Sequence, residues 1–312
     1  MRRFRPFLAL VCLCLMTYAS IGKALAAEEV WVALSDGGGA YAEAAEAARR
    51  EIQRGGVVAV EILPWQQFLG AGRVPPRLVI ALGSGALAGM AESELRAPLL
   101  ATLLPRVAYE RQAERAGQFG RVHSAVFLDQ PPARQLDLLR LALPERRRVG
   151  VVFGPESRQL APLLRRAAGE RGLVLATVEA PVGGNLFPLL QALFDESDLL
   201  LALPDPAVYN GLTIQNILTA AYRHRIPLIG FSPAYVKAGA LLSLYSTPAQ
   251  VGAQAGEIAR GVLAGRPLPP PQGPRDFSVA VNVDVARSLG VAMEADAGQK
   301  WTEQLRQKER LP

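Results

Sequence analysis

Short apolar runs alternate with helical patterns between residues 199 and 267, and this alternation constrains the fold most. The apolar runs at residues 199–203, 227–231 and 240–245 are separated by stretches in which apolar residues recur with the helical period of about 3.6 residues. Continuous apolar runs of this kind are typical of parallel strands that are buried on both faces. The pattern predicts an α/β fold, in which helices connect the strands of a parallel sheet.

The segments between these strands are predicted from their periodicity and turn residues. Residues 210–225 and 249–265 are expected to be helices, and Thr247 followed by Pro248 opens the second of them. Residues 232–239 read as a surface loop.

Polar residues follow three of the predicted strands. Asp205, Ser232 and Tyr245 each stand at the carboxyl end of a strand or directly after it. Ligands of open α/β sheets bind in the crevice beyond these strand ends. The sequence therefore predicts a ligand site that includes these three residues.

Three segments of the same region carry a resemblance to a known family. LPDPAVYNGL, AAYRHRIPLIGFSPAYVKAGALLSL and VGAQAGEIARGVLAGRPLP resemble the periplasmic substrate-binding proteins of ABC transporters. The resemblance is to the group of type I periplasmic-binding fold that includes tryptophan- and tyrosine-type binders, and it is strongest over residues 130–290. It implies two Rossmann-like lobes with parallel sheets, a ligand cleft between them, closure by hinge motion, and a permease in the inner membrane as partner.

The type I fold also implies a division of the chain, with crossings near Asp129, Leu244 and Gly273. The first lobe is then expected at residues 27–129 plus 244–273, and the second at residues 130–243 plus 274–291. Two lobes also suit the length, because a single core stops growing at about 250–300 residues. Residues 292–312 are predicted to be a polar, solvated tail without a site, and a helix is one conformation left open for it.

Residues 1–26 have the pattern of a secretory signal peptide. Basic residues at the start precede an apolar run at residues 7–16, and Ala24-Leu25-Ala26 forms a small-residue cleavage site. The alternative is a membrane anchor, but the apolar run is shorter than the roughly 20 residues that span a bilayer. The pattern predicts export to the periplasm and removal of Cys12 and Cys14.

The composition after this cleavage excludes several classes of function. The formal charge of +6 falls to +2 when the four basic residues of residues 1–26 are removed, so nucleic-acid binding is not expected. No cysteine remains and His123 and His224 are far apart, so neither a metal site nor a Cys/His catalytic pair is expected. The glycine patterns at residues 37–42 and 83–88 fit G-x-G-x-x-A, but the pattern is too weak to predict a nucleotide cofactor. We expect no cofactor, although either turn could hold a ligand carboxylate at a helix N-terminus.

The resemblance implies roles for individual residues. Asp205 matches an acidic position whose carboxylate pairs with a ligand amine; the alternative is that Asp205 caps the following turn. Ser84 matches a small hydroxyl that helps to hold a carboxylate, and Ser157, beside Glu156, occupies the equivalent loop of the second lobe. Four further candidates remain. Ser35 and Asp36 lie in the turn after the first strand, Tyr109 lies before the first crossing, and Trp65 is an aromatic residue after the second strand.

The chain departs from the family pattern at two places. Tyr109-Glu110-Arg111 replaces an Asn-Val-Thr-Gly run, and Thr247 stands where relatives carry an acid. One expected carboxylate is therefore missing, and an amino-acid ligand cannot simply be carried over.

These observations predict a monomeric periplasmic solute-binding protein that is not an enzyme and that binds a small organic ligand, with an amino-acid-like compound as one candidate. Two alternatives remain. The first is a sensory module for a receptor kinase or for outer-membrane uptake. The second is a secreted enzyme that uses Asp36, Glu110 or Asp205 as acid–base groups, although no nucleophile–base pair is visible in the sequence.

Overall fold

The computed structural model describes residues 29–70, 72–117 and 122–310. The predicted signal peptide, with Cys12 and Cys14, lies outside the described residues. The described chain forms two parallel-dominated sheets flanked by helices, which confirms the predicted α/β fold with two lobes.

The first sheet contains five strands in the order β2-β1-β3-β4-β5, and all neighbours are parallel. Its strands are β1 (Glu29–Leu34), β2 (Ala59–Pro64), β3 (Leu78–Leu82), β4 (Leu99–Thr102) and β5 (His123–Val126). The connecting helices are α1 (Gly39–Gln53), α2 (Ser84–Glu92) and α3 (Arg106–Gly117). The central strand β3 is fully buried, as expected for a parallel strand covered on both faces.

The second sheet contains six strands in the order β11-β10-β9-β8-β6-β7. Its strands are β6 (Arg148–Phe153), β7 (Val174–Glu179), β8 (Leu199–Leu201), β9 (Leu228–Gly230), β10 (Leu242–Tyr245) and β11 (Ser278–Val281). The helices that follow β5 are α4 (Pro132–Ala142), α5 (Ala161–Gly169), α6 (Leu186–Glu196), α7 (Ile214–Arg223), α8 (Pro233–Ala238), α9 (Pro248–Leu263), α10 (Val283–Ser288) and α11 (Ala297–Arg310). Every neighbouring pair is parallel except β10 and β11, which are antiparallel. An antiparallel strand at the edge of a parallel sheet is common in large α/β sheets.

Helix α9 follows a strand of the second sheet but packs on α1 of the first lobe. Gly252 and Gly256 allow this approach: a Cβ atom at Gly256 would lie 2.6 Å from the carbonyl oxygen of Ala48. Ala255 and Ala259 are buried in the same core as the first sheet. The chain leaves the second sheet after Tyr245, slightly later than the crossing expected near Leu244.

The C-terminal segment differs from the predicted solvated tail. Residues 297–310 form α11, which packs against β11, and Leu305 is only 1% exposed. Ala297, Trp301 and Leu305 recur every four residues and place one apolar stripe on the helix. The helix agrees with the alternative left open for this segment, but the tail is not solvated on every face, because the apolar stripe packs against the second lobe.

Two local predictions also change. The helix expected over residues 210–225 is confined to α7, because Asn210 and Thr213 engage in turns through their side chains. The loop expected over residues 232–239 contains the short helix α8. Pro233 suits its first turn, and Gly239 ends it with a φ of 120°.

Candidate ligand-binding site

A cavity of about 580 Å³ lies between the two lobes. Its walls come from the first lobe at Glu43 and Pro105, from the second lobe at Pro204 and residues 231–233, and from connecting segments at residues 128–130 and 244–248. The walls are mainly apolar, and the residues that make them so are Pro105, Leu128, Pro204, Phe231, Leu244 and Tyr245. The cavity therefore lies at the carboxyl ends of β5, β9 and β10, where a ligand of an α/β sheet is expected.

Two of the predicted site residues line this cavity. Ser232 precedes α8, and Tyr245 ends β10. Thr247 also lines it and caps α9, accepting a hydrogen bond from the backbone N–H of Gln250 at 3.1 Å. Thr247 therefore works as a helix cap at the position where the resemblance had implied an acid.

An aromatic cluster lies beside the cavity wall at Phe231. The ring of Phe231 lies 4.5 Å from that of Tyr235 and 6.3 Å from that of Tyr209. Burial raises the pKa of Tyr209, with smaller contributions from Tyr235 and Asp205, so its hydroxyl stays protonated. These contacts hold Phe231 in a fixed position at the cavity.

Asp129 is one of two acidic residues of the cavity, with Glu43, that were not among the predicted site residues. Its Oδ2 accepts a hydrogen bond of 2.6 Å from the backbone N–H of Arg106, the first residue of α3. Burial raises the pKa of Asp129 above its ordinary value of 3.8, although that hydrogen bond acts in the opposite direction. The signal was an acid three residues after the buried end of β5, which resembles the strand-end position that selected Asp205.

A second, smaller cavity of about 110 Å³ adjoins the first. Both are lined by Asp129, Gln130, Gln135 and Pro204, and the smaller one extends to Arg106 and to Leu160. Asp129 and Gln135 therefore lie at the boundary between the two spaces.

Hydrogen bonds link the three segments that connect the lobes, which lie at residues 128–130, 244–248 and 273–276. The side-chain amide of Gln130 donates to Ser246 Oγ at 2.9 Å, and Ser246 donates to the carbonyl oxygen of Asp276 at 2.6 Å. Arg134 donates to Gln130 Oε1 and to the carbonyl oxygen of Pro274, both at 2.8 Å. The segments that join the lobes thus form one polar network.

Asp205 is placed differently from the expected ligand contact. It is only 1% exposed and does not line the cavity between the lobes. Its Oδ2 accepts from the backbone N–H groups of Glu156 and Ser157 at 3.0 and 2.8 Å and from Ser157 Oγ at 2.9 Å. Its Oδ1 accepts from the N–H of Ala207 at 3.0 Å, which is the cap that the sequence left open as an alternative.

The loop after β6 is therefore built around Asp205. Ser157 is fully buried, and its hydroxyl also accepts a hydrogen bond of 2.9 Å from the N–H of Gly154. A Cβ atom at Gly154 would lie 2.5 Å from the Asp205 carboxylate, so the loop comes too close for a side chain there. The side chain of Glu156 points to the other lobe, where Arg111 donates to it at 3.2 Å.

The first lobe brings together the turns after β1 and β3. Ser35 Oγ accepts a hydrogen bond of 2.7 Å from the N–H of Ala86 in the first turn of α2. Ser84 begins this helix and is exposed, and Asp36 is exposed and accepts from the N–H of Gly38 at 3.2 Å. Ser35 thus occupies the anion-attracting end of α2 itself.

Two aromatic candidates belong to the core of the first lobe. Tyr109 is only 4% exposed, and its hydroxyl forms a hydrogen bond of 2.7 Å with His123 Nδ1. Burial raises the pKa of Tyr109 to about 12 and lowers that of His123 below 6.5. Trp65 packs over Gly89 and against the same core.

The acids of the enzyme alternative lie on separate elements. Asp36 follows β1, Glu110 is on α3, where it lies 3.4 Å from the side-chain amide of Gln159, and Asp205 is buried after β8. Within the described ranges, no group of three or more His, Cys, Asp or Glu side chains is arranged to hold a metal ion. None of the helices in those ranges is both long and apolar enough to cross a membrane.

Solved structures share this fold at low sequence identity. A conserved domain protein from Vibrio cholerae matches with a TM-score of 0.60 and 19% identity over 86% of this chain and 96% of that one. The ABC domain in complex with L-Trp from Streptococcus pneumoniae matches with a TM-score of 0.59 and 15% identity over 87% and 97% of the two chains. A ligand-free, open substrate binding protein with adhesive properties from Clostridium difficile matches with a TM-score of 0.65 and 16% identity, also over 87% and 97%.

The sequence comparisons agree with this fold. No curated protein matches the chain. The family model described as ABC transporter substrate binding protein matches residues 128–300, which cover more than half of the chain. The match includes the connecting segments, the whole second sheet and α9. The protein belongs to the ABC transporter substrate binding protein family.

Proposed function

We propose that the protein is the periplasmic solute-binding component of an ABC-type uptake system, holding a small organic ligand between its lobes. The cavity of about 580 Å³ at the strand ends is the observation that carries this proposal. Small-ligand sites have volumes of about 300–1,000 Å³, mostly apolar walls and a few polar groups. The cavity meets each of these conditions.

The ligand is held by closure of the two lobes. Residues of both lobes border the cavity, so rotation about the connecting segments changes its width. Asp129, Gln130 and Ser246 lie on these segments and also line the cavity, so a ligand contacts the hinge directly.

The predicted site residues divide into two groups under this proposal. Ser232 and Tyr245 contact the ligand from the cavity wall, and Asp36 and Ser84 meet it from the exposed strand ends of the first lobe. Ser35, Ser157 and Asp205 hold the loops that face the cleft, and Tyr109 supports the core beneath α3. The lobes are taken as residues 27–129 plus 244–273 and residues 130–243 plus 274–291.

The cellular part of the proposal rests on the family and on the sequence. Residues 1–26 direct export, and the mature protein is a periplasmic monomer that delivers its ligand to an inner-membrane permease without turning it over. Intact-mass measurement on a periplasmic extract tests the export step, because cleavage after Ala26 removes Cys12 and Cys14. Retention of either cysteine contradicts it.

A ligand screen with matched tyrosine variants tests the binding function. Thermal shift against amino acids, purines, organic anions and amines should identify a ligand that stabilises the protein by about 2.7 kcal/mol at a hundredfold excess over its Kd. X-ray scattering should show a smaller radius of gyration with that ligand. Tyr245→Ala should abolish both effects, whereas Tyr222→Ala, at a tyrosine that is 54% exposed on α7, should change neither. A tight ligand that leaves the radius of gyration unchanged would contradict closure.

A further inference from the structure

We propose that the ligand of the cavity between the lobes is an organic cation, with an apolar body, a protonated amine and no carboxylate. This inference rests on the proposed function and adds the chemical class of the ligand. It assigns the amine to Asp129 and Gln135, rather than to Asp205.

The charges on the cavity wall are all of one sign. Among the described residues that line it, Glu43 and Asp129 carry carboxylates, and none is a lysine, arginine or histidine. Arg106 lines the smaller cavity; its guanidinium lies 4.9 Å from the ring of Phe127 and 3.9 Å from the Glu110 carboxylate. A cationic group is therefore attracted into this space, and an anionic group is repelled from it.

Gln135 supplies an independent sign of a polar ligand. Its side chain is only 8% exposed, it lines both cavities, and no hydrogen-bond partner for its amide is found among the described residues. The amide is not enclosed in the protein interior but faces the cavities, so a polar group of a ligand can form a hydrogen bond with it. Gln135 also borders the cavities together with Asp129, so one ammonium group can donate to both side chains.

The N-terminus of α9 at the cavity does not offset this preference. Helix α9 begins at Pro248 on the cavity wall, where free N–H groups would attract an anion. The N–H of Gln250 already donates to Thr247 Oγ1 at 3.1 Å, and the N–H of Ala249 donates to Glu43 Oε1 at 3.3 Å. These two N–H groups at the start of α9 are therefore already hydrogen-bonded within the protein, and a ligand carboxylate cannot bind to them.

The apolar walls suit the remainder of such a ligand. Phe231 and Tyr245 bring two aromatic rings to the wall, and Leu128 and Leu244 bring aliphatic surface. Aromatic rings attract a desolvated cation, and the aliphatic side chains bury the ligand's carbon skeleton.

Matched probe sets test the charge preference directly. Each set keeps one carbon body and changes the charged groups: tryptamine, L-tryptophan and indolepropionate; phenethylamine, L-phenylalanine and hydrocinnamate; pentylamine, L-norleucine and hexanoate. Calorimetric titration of the full mature protein should show that the amine of at least one set binds at least about tenfold more tightly than its zwitterion and its anion.

Variants assign the binding to the named residues. Asp129→Asn should weaken amine binding by about a hundredfold, since it removes one side of a desolvated charge pair while its oxygen still accepts from Arg106. Gln135→Leu should weaken it by about tenfold. Glu92→Gln, at an exposed residue of α2 outside the cavity, should leave the affinity unchanged. Melting curves of each variant establish that it is folded.

The outcomes separate this inference from the proposed function. If a zwitterion or an anion binds and compacts the protein, the cation assignment is wrong but the solute-binding function is supported. If none of the amines binds, the cation assignment is also wrong. Amine binding that survives Asp129→Asn also overturns it. Amine binding that is lost in Asp129→Asn but occurs without compaction supports the cation assignment and contradicts closure.

Discussion

At the scale of single residues, Asp205 is an acid at a strand end whose carboxylate forms hydrogen bonds within the protein and not with a ligand. Four donors surround its carboxylate: the N–H groups of Glu156, Ser157 and Ala207 and the hydroxyl of Ser157. Three of them belong to a loop about 48 residues earlier in the chain. Asp205 therefore fixes the shape of that loop, and its oxygens are occupied before any ligand arrives.

Substitution of Asp205 should accordingly affect stability first. Asp205→Ala leaves several buried donors without an acceptor, and we expect it to lower the free energy of unfolding by about 3 kcal/mol or more. Denaturant titration measures this change. Asp195→Ala, at an exposed acid on α6, should stay within about 0.5 kcal/mol of the wild type. Normal stability with a hundredfold loss of affinity would restore the amine-pairing role expected from the family.

The residue scale also marks the limit of what the sequence could predict. The position of Asp205 after an apolar strand was visible, but its contact with residues 156 and 157 depends on how two distant turns meet. Asp129 carried a similar local signal, and only the fold shows that it borders a cavity and Asp205 does not. Tyr109 is a core residue because α3 turns it toward His123, which no local pattern reveals.

At the scale of elements, α11 completes the second lobe. Its Glu309 accepts two hydrogen bonds from Arg134, at 2.6 and 2.8 Å, and Arg134 also holds the connecting segments. Its Lys308 donates to Asp137 at 2.6 Å, where Arg171 donates as well. The strands β8, β9 and β10 were predictable because buried parallel strands are continuous apolar runs, whereas the contacts of this polar helix were not.

The pH dependence of stability should report the contact between α11 and α4. Burial acts to raise the pKa of Asp137, but hydrogen bonds from Arg171 and Lys308 outweigh it, so the pKa lies below its ordinary value of 3.8. An acid with a lowered pKa stabilises the fold above the unfolded-state value and loses this contribution as pH falls through the folded-state value. Asp137→Asn should therefore cost about 1–2 kcal/mol at neutral pH, and the difference should shrink below about pH 3.8.

The matched control for this measurement is Asp284→Asn. Asp284 pairs with Arg287 at 3.0 Å, but the two side chains are 82% and 78% exposed. Because solvent screens such a pair, the variant should match the wild type at every pH. A constant difference between Asp137→Asn and the wild type from pH 7 to pH 2 would show that the Asp137 contact is not ionic.

At the scale of the whole molecule, an ion pair joins the lobes away from the connecting segments. Arg111 on α3 lies 3.2 Å from Glu156, and their side chains are 59% and 34% exposed. Such a pair contributes about 0–1 kcal/mol to stability. The pair links the two lobes, which must move apart and together in the proposed function. It should therefore stabilise the closed arrangement of the lobes relative to the open one.

Removal of this ion pair should open the molecule without unfolding it. We expect Glu156→Gln to keep the melting temperature of the wild type and to lengthen the distance between spin labels placed on the two lobes. Added salt should lengthen the wild-type distance in the same direction, because ions screen the pair. Glu196→Gln, at an exposed acid on α6, is the control. Equal label distances in all three proteins would show that the pair does not bias opening.

The packing of α9 on α1 has a consequence for the order in which the protein can be made. The strands of the first sheet end at Val126, but the helix that covers α1 begins only at Pro248. A chain emerging from its N-terminus therefore displays the bare Ala44 and Ala48 face of α1 until nearly the whole second lobe has followed. The first lobe is finished only after five of the six strands of the second sheet have emerged, and β11 and α11 of the second lobe follow later still, so neither lobe is encoded by one continuous piece of the gene.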